Sequence, residues 1–87
     1  MSNYADCLAV IKNILDEHCG VEQSLVGPQS RLQADLGLDS VGLLSLALEL
    51  ENAFEMYLGE DADNPPETVD DVARLILYRQ SEMRDAS

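Results

Sequence analysis

A serine hydroxyl can enter chemistry in two ways. It can attack a substrate, with a base at hand to take its proton, or it can be modified by another enzyme. Ser40 lies in the stretch Asp35-Leu36-Gly37-Leu38-Asp39-Ser40-Val41. A short acidic turn precedes it, and a strongly apolar helical pattern, Val41 to Phe54, follows it. That setting predicts an exposed hydroxyl beside a carboxylate, at the positive end of a helix. Attack would require a partner base. The chain has one histidine, His18, which its spacing places on another helix and near a loop. Nothing in the sequence pairs with it, and it reads as a surface residue at a helix end. Ser40 therefore reads as a point of attachment, with a plain helix cap as the competing reading.

The other reactive side chains exclude more than they suggest. Cys7 and Cys19 are twelve residues apart. On one helix they would stand roughly 18 Å apart, at about 1.5 Å per residue. A disulfide needs Cα atoms within about 7 Å, so no internal bridge is expected. Two Cys and one His also fall short of a structural zinc set. Asp61-Ala62-Asp63-Asn64 hints at a calcium loop, but Pro66 stands where that loop needs glycine. No glycine-rich phosphate loop is present. The many paired carboxylates read as solvated faces.

With 87 residues the chain makes one small domain, whose core would span about residues 3–80. Little room is left for a deep cleft lined with polar groups. The apolar fraction is 46%, the aromatic fraction is 5% and there is no Trp. An aliphatic core of this kind suits a helical bundle better than a sandwich of strands. There are 17 acidic and 5 basic residues, for a net charge of −12, and no basic residue occurs between Arg31 and Arg74. Such a surface repels nucleic acid and anionic membranes, and it attracts partners with basic patches. Solubility alone is the plainer use of an acidic surface. The N-terminus lacks the basic start of a signal peptide, and no apolar run approaches the roughly 20 residues of a membrane span. A cytoplasmic, monomeric protein with reduced thiols is expected.

The elements that must position Ser40 follow from periodicity. Asn3 to Cys19 reads as a helix with Tyr4, Leu8, Ile11, Ile14 and Leu15 facing inward, and Gly20 stops it. Val21 to Asp39 is a long connection, and Gly27-Pro28 and Gly37 argue against regular structure in it. So long a connection needs anchors, and Val26, Leu32 and Leu36 are the candidates. A second helix is predicted from about Ser40 to Leu58, capped by Asp39 or Ser40. Leu43, Leu46, Ala47, Leu50 and Phe54 form its stripe, while Leu44 and Leu48 lie off it. Gly42 suggests open space about one turn from Ser40. Glu60 to Asp63 allows a short helical turn before Pro65-Pro66. In the last helix Thr68 and Asp71 form a capping box, and Val69, Val72, Ala73, Ile76 and Leu77 face inward. Arg74, Arg79 and Arg84 suit its C-terminal half. Residues 81–87 read as a frayed tail.

Around Ser40 the chain resembles the phosphopantetheine attachment site of acyl carrier proteins, with their Asp-Leu-Gly-x-Asp-Ser core. Gly20-Val21, Val26, Leu32 and Leu36 look like that family's loop anchors. Leu46, Leu50, Phe54, Val69, Val72, Ala73 and Ile76 look like its core positions, without a gap from Gly20 to Ile76. The resemblance implies an all-α four-helix bundle: three main helices, a short third helix near Glu60 to Asp63, and a long first loop. It also implies that a phosphopantetheinyl transferase modifies Ser40, with Asp39 as the flanking motif residue, using coenzyme A and magnesium. The arm's thiol would carry acyl groups as thioesters between enzymes, and the chain itself would catalyse nothing. Leu38, Val41, Leu43, Leu44 and Leu48 are candidates to guide the arm and its acyl group. Glu49, Glu51, Glu60, Asp61 and Asp63 are candidates to dock acyl-loading enzymes, ketosynthases or acyltransferases with basic patches.

The chain departs from the family pattern next to the serine. Carriers of primary fatty acid synthesis tend to hold acidic residues there, where this chain has Gly42 and Ser45, and position 43 is Leu. Docking near Ser40 should then rest on shape more than on ion pairs, with the acidic region Glu60 to Asp71 contributing separately. A free-standing carrier of polyketide or mixed polyketide–peptide biosynthesis is the expectation, and Met1 and the short end at Ser87 favour a free-standing protein. The alternatives are a primary fatty acid carrier, an aminoacyl or peptidyl carrier, and a helical interaction domain that is never modified.

Overall fold

A computed structural model describes residues 3–58 and 66–85. Among these residues there are three α-helices, one 3-10 turn and no β-strand. Helix α1 spans Tyr4–Cys19. Asn3 caps it: its Oδ1 accepts from the Asp6 amide at 2.8 Å, and the Asp6 carboxylate accepts from the Asn3 amide at 3.3 Å. This reciprocal pair satisfies amides that a helix start would otherwise leave free. Gly20 ends the helix in a left-handed conformation, φ +71°, which costs a residue without Cβ little. Cys7, Ile11, Ile14 and Leu15 are buried along α1, with Tyr4 and Leu8 half-buried. The apolar periodicity predicts this face except for Cys7, which is fully buried and behaves as a small hydrophobe. Both thiols are free, as their spacing predicts.

Helix α2 spans Ser40–Phe54 and helix α3 spans Val69–Asp85. Helix α1 packs against both. Leu46 and Leu50 bury the inward face of α2; Val69, Val72, Ala73 and Ile76 bury that of α3. No polar or charged residue is buried among the described residues. The core is therefore apolar throughout and mostly aliphatic, with Cys7 and Met56 among its side chains, as the lack of Trp predicts. Truncating a side chain as deep as Leu32 or Leu50 would cost about 2–5 kcal/mol, a large share of a small domain's stability. The capping box on α3 forms as expected: the Asp71 amide donates to Thr68 Oγ1 at 3.1 Å and the Thr68 amide to Asp71 Oδ2 at 3.1 Å.

The connection between α1 and α2 is where the fold is decided. It contains one 3-10 turn, Gln23–Leu25, which its composition does not predict. Val26, Leu32 and Leu38 bury themselves in the core, while Leu36 is only half-buried. Leu38 thus takes the deep anchor position expected of Leu36. Backbone bonds then clip the connection to the start of α3. Leu32 N–H donates to Glu67 O at 2.9 Å, Val69 N–H to Ser30 O at 3.0 Å and Asp70 N–H to Pro28 O at 2.9 Å. Arg31 and Thr68 pair as an isolated antiparallel bridge within this clip.

Two predicted ends are corrected. The apolar pattern predicts the second helix to Leu58, but α2 ends at Phe54. Glu55 turns left-handed, φ 51°, and the Met56 amide folds back onto Glu51 O at 3.1 Å. Met56 and Leu58 are apolar because they pack into the core beyond the helix end. The chain's end was expected to fray from Ser81, yet α3 continues to Asp85. There Arg79 Nη1 pairs with Glu82 at 3.1 Å, one turn on. The short helix expected at Glu60 to Asp63 lies outside the described residues.

Asp71 links this architecture to pH. The Glu67 amide, then the Thr68 amide, hold its carboxyl below its ordinary value of 3.8. A lowered value stabilises the fold above pH 3.8 and is lost as pH falls through the folded-state value. In chemical denaturation, the advantage of the parent over Asp71→Asn should shrink as pH is lowered below 3.8. An advantage unchanged by acid would show that the cap does not depend on the charge.

Candidate functional site

The turn before α2 is closed by Asp35. Its Oδ2 accepts from the Arg31 amide at 2.8 Å and from Arg31 Nε at 3.3 Å. The Arg31 amide, with the guanidinium second, holds the Asp35 carboxyl below the usual carboxylate range. The Asp35 and Leu36 amides donate back to Arg31 O at 2.9 and 3.0 Å. Gly37 then takes φ +73°, so a Cβ there would be strained although nothing stands near it. Leu38 N–H donates to Leu32 O at 3.0 Å and its side chain enters the core at 8% exposure. Leu38, a candidate for guiding an arm, is therefore first a plug beneath the turn.

Asp39, not Ser40, is the cap of α2. Its Oδ1 accepts from the Gly42 amide at 2.8 Å, and its carbonyl accepts from the Leu43 amide at 2.9 Å. Ser40 is the first helical residue, and it is exposed. No described residue hydrogen-bonds its hydroxyl. The reading of Ser40 as a cap and nothing more has no bond to support it. Gly42 is not open space, contrary to expectation. A Cβ there would stand 3.3 Å from Leu38 Cδ2 and 3.4 Å from Asp39 Oδ1, because the plug and the cap both press against it.

Ser40 has no base. His18 Nε2 lies 3.5 Å from Glu49 Oε2. Glu49 is nine residues beyond Ser40, about 13.5 Å along the helix axis. His18 is thus a partly exposed tie between α1 and α2, as its position at a helix end suggests. Among the described residues no three metal-ligating side chains come together, and no helix is long and apolar enough to cross a membrane.

The remaining candidates divide by environment. Val41, Leu44 and Leu48 are exposed, and Leu43 is half-buried against the core. Glu49 and Glu51, expected to dock partners, are both engaged within the chain. Glu49 faces His18, and Glu51 Oε2 accepts from the Leu58 amide at 2.9 Å. Sequence spacing carries no sign of the second tie, because Leu58 returns to Glu51 only after the reversal at Glu55. Arg79 Nε secures the same segment by donating to Leu58 O at 3.1 Å. Glu60, Asp61 and Asp63 lie outside the described residues.

The surroundings fit a phosphodiester on Ser40. The hydroxyl is free, and it stands on the first turn of a helix, where the amides of Ser40 and Val41 have no intrahelical acceptor. The division of labour between neighbours is measurable. Asp39→Ala should lose about 1 kcal/mol of folding stability, the usual worth of a cap, and Ser40→Ala only a few tenths. Equal losses in thermal or denaturant unfolding would mean that Ser40 shares the capping role.

The chain matches the family model described as "Phosphopantetheine attachment site" over residues 9–76, well over half of its length. That span takes in most of α1, the clipped connection, all of α2 and the buried half of α3. Domains of that family are non-catalytic carriers on which other enzymes act. The chain belongs to the phosphopantetheine-binding carrier proteins, whose prosthetic group is covalently attached phosphopantetheine.

Proposed function

We propose that Ser40 is the residue that carries the phosphopantetheine, and that the chain is a single-domain carrier in polyketide or mixed polyketide–peptide biosynthesis. One observation carries the assignment. Asp35, Leu38 and Asp39 each have a structural task in the turn, whereas Ser40 has an exposed hydroxyl that no described residue bonds. In the transfer, Ser40 Oγ bonds to the pantetheine-bearing phosphorus of coenzyme A. The bond to the second phosphate breaks, adenosine 3′,5′-bisphosphate leaves, and the serine proton passes to the transferase. Once in place, the arm's thiol holds an acyl group as a reactive thioester. The chain's own part is to present Ser40 on a rigid helix end, so that one tethered group meets successive enzymes at high effective concentration.

The pathway reading draws support from the first turn of α2, which holds no acidic residue. Ion pairs beside the serine are what a primary fatty acid carrier would offer. Basic patches on acyl-loading enzymes, ketosynthases or acyltransferases would instead meet the stretch from Glu60 to Asp71, including Asp61 and Asp63. Free thiols at Cys7 and Cys19 fit the cytoplasm.

Intact-protein mass spectrometry tests the assignment, after incubation with coenzyme A, magnesium and a broad-specificity phosphopantetheinyl transferase. One phosphopantetheine should add to the parent and none to Ser40→Ala. Addition to the variant, or none to the folded parent, would overturn it. The modified protein should then be accepted by a polyketide-type ketosynthase; refusal there, with acceptance by fatty acid synthesis enzymes, would move it to primary metabolism.

A further inference from the structure

The chain has three Tyr, one Phe and no Trp, and it leaves two of these scarce rings outside the core. Phe54 packs against the core, and the Tyr4 hydroxyl contacts Asp70. Tyr57, by contrast, is 80% exposed and Tyr78 62%. Single exposed rings are ordinary, but these two flank one hydrogen bond. Tyr57 precedes Leu58, Tyr78 precedes Arg79, and Arg79 Nε donates to Leu58 O at 3.1 Å. The exposure of Tyr57 is also enforced. Met56 before it and Leu58 after it are both buried, so the ring between them is turned outward. The Met56 amide is held by Glu51 O, the Leu58 amide by Glu51 Oε2 and the Leu58 carbonyl by Arg79. The backbone beneath the ring is thus fixed before any partner arrives. A ring held in this way loses little freedom on binding, which favours tyrosine at interfaces.

Charge selects the partner. The net charge is −12, and no basic residue lies between Arg31 and Arg74. Arg79, the cation at the site, is matched by Glu82 at 3.1 Å. Its Cζ also lies 6.0 Å from the centroid of the Tyr78 ring, at the edge of cation–π reach, so that ring already stands beside a guanidinium. Glu55, two residues before Tyr57, is exposed. Electron-rich ring faces in an acidic field favour a guanidinium, which stacks on a ring and pairs with a carboxylate, over the more strongly hydrated ammonium.

We propose that Tyr57 and Tyr78 form a docking site for an arginine-bearing segment of a partner protein, and that this site leaves Ser40 uncovered. Phe54 is about 21 Å along α2 from Ser40, and Tyr57 lies beyond it. A protein held at the tyrosines has no need of the face around the serine. The chain can then stay bound to one protein while others act on its arm, a consequence that rests on the assignment of Ser40. Such a tether raises effective concentration without competing for the serine.

The test titrates the whole isotope-labelled chain with hexa-arginine and with hexa-lysine at about 0.15 M salt, followed by amide chemical shifts. Hexa-arginine should bind at least about threefold more tightly than hexa-lysine, with shifts centred on residues 56–58 and 78–80 and none at Ser40. In Tyr57→Ser with Tyr78→Ser, affinity for hexa-arginine should fall about tenfold and the preference over hexa-lysine should vanish. Both rings are exposed, so the variant's melting curve should match the parent's, and the comparison of the two peptides needs no substitution. Saturating hexa-arginine should not change the ratio of transfer rates to Ser40 between parent and double variant. Equal affinity for the two peptides, unchanged in the double variant and with shifts spread over the acidic residues, would show attraction to net charge alone and overturn the site. Transfer slowed by the peptide in the parent alone would place the site across Ser40 and overturn its independence. No transfer to Ser40 in the folded parent would overturn the assignment of Ser40, while the peptide titrations, which need no transfer, decide the tyrosine site.

Discussion

Twenty residues separate α1 from α2, and they place the serine only because their backbone is paired elsewhere. Loop-closure entropy alone would let such a segment sample many arrangements. The amides of Leu32, Val69 and Asp70 prevent this by bonding across to Glu67, Ser30 and Pro28. The pairing joins the middle of the connection to the start of α3, and Leu32 is driven into the core between them at 1% exposure. The position of Ser40 is thereby referred to α3 as well as to α2. The side-chain contact of the Tyr4 hydroxyl with Asp70, which also holds Arg74, brings the start of α1 to the same place. Three elements converge there, and the site depends on the convergence.

Within that frame, adjacent residues divide roles that a single residue could not combine. A cap must hold its side chain inward against free amides, whereas an attachment point must project its oxygen outward. Asp39 does the first, and Ser40 is exposed as the second requires. Arg31 and Asp35 close the turn upstream, and Leu38 seals it from below. That no described residue is placed as a base for Ser40 is consistent with this division. A hydroxyl activated in place would react with whatever reached it, whereas one activated only by a visiting enzyme stays inert until that enzyme docks.

The parts legible in the sequence are those set by local pattern. Thr68 and Asp71 announce the start of α3 because a capping box spans four residues. Ile11, Leu15, Leu46, Leu50 and Ile76 announce the core because helical periodicity is local too. The end of α2 is not legible. It depends on Glu55 adopting a conformation unusual for a residue with a Cβ, and on Glu51 and Arg79 reaching toward Leu58 from afar. Leu36 and Leu38 are equally apolar, and only the turn's geometry decides which one faces inward. Asp39 and Ser40 are both good caps, and only the helix register chooses between them. Glu49 and Glu51 look like free surface charge because their partners lie on other elements.

A tether exerts force on whatever anchors it, and the ties along α2 determine where that force goes. The helix is seized at its start by Asp39, near its middle by the His18 contact to Glu49, and at its end by Glu51 and Arg79 gripping Leu58. A pull on Ser40 is therefore not taken up by a local hinge. It loads the helix as a strut and passes to α1, against which α2 packs, and through Leu58 to Arg79 of α3. On the proposed assignment, an arm on Ser40 would swing about a root held still, so an enzyme that finds the root would also find the radius within which the cargo must lie.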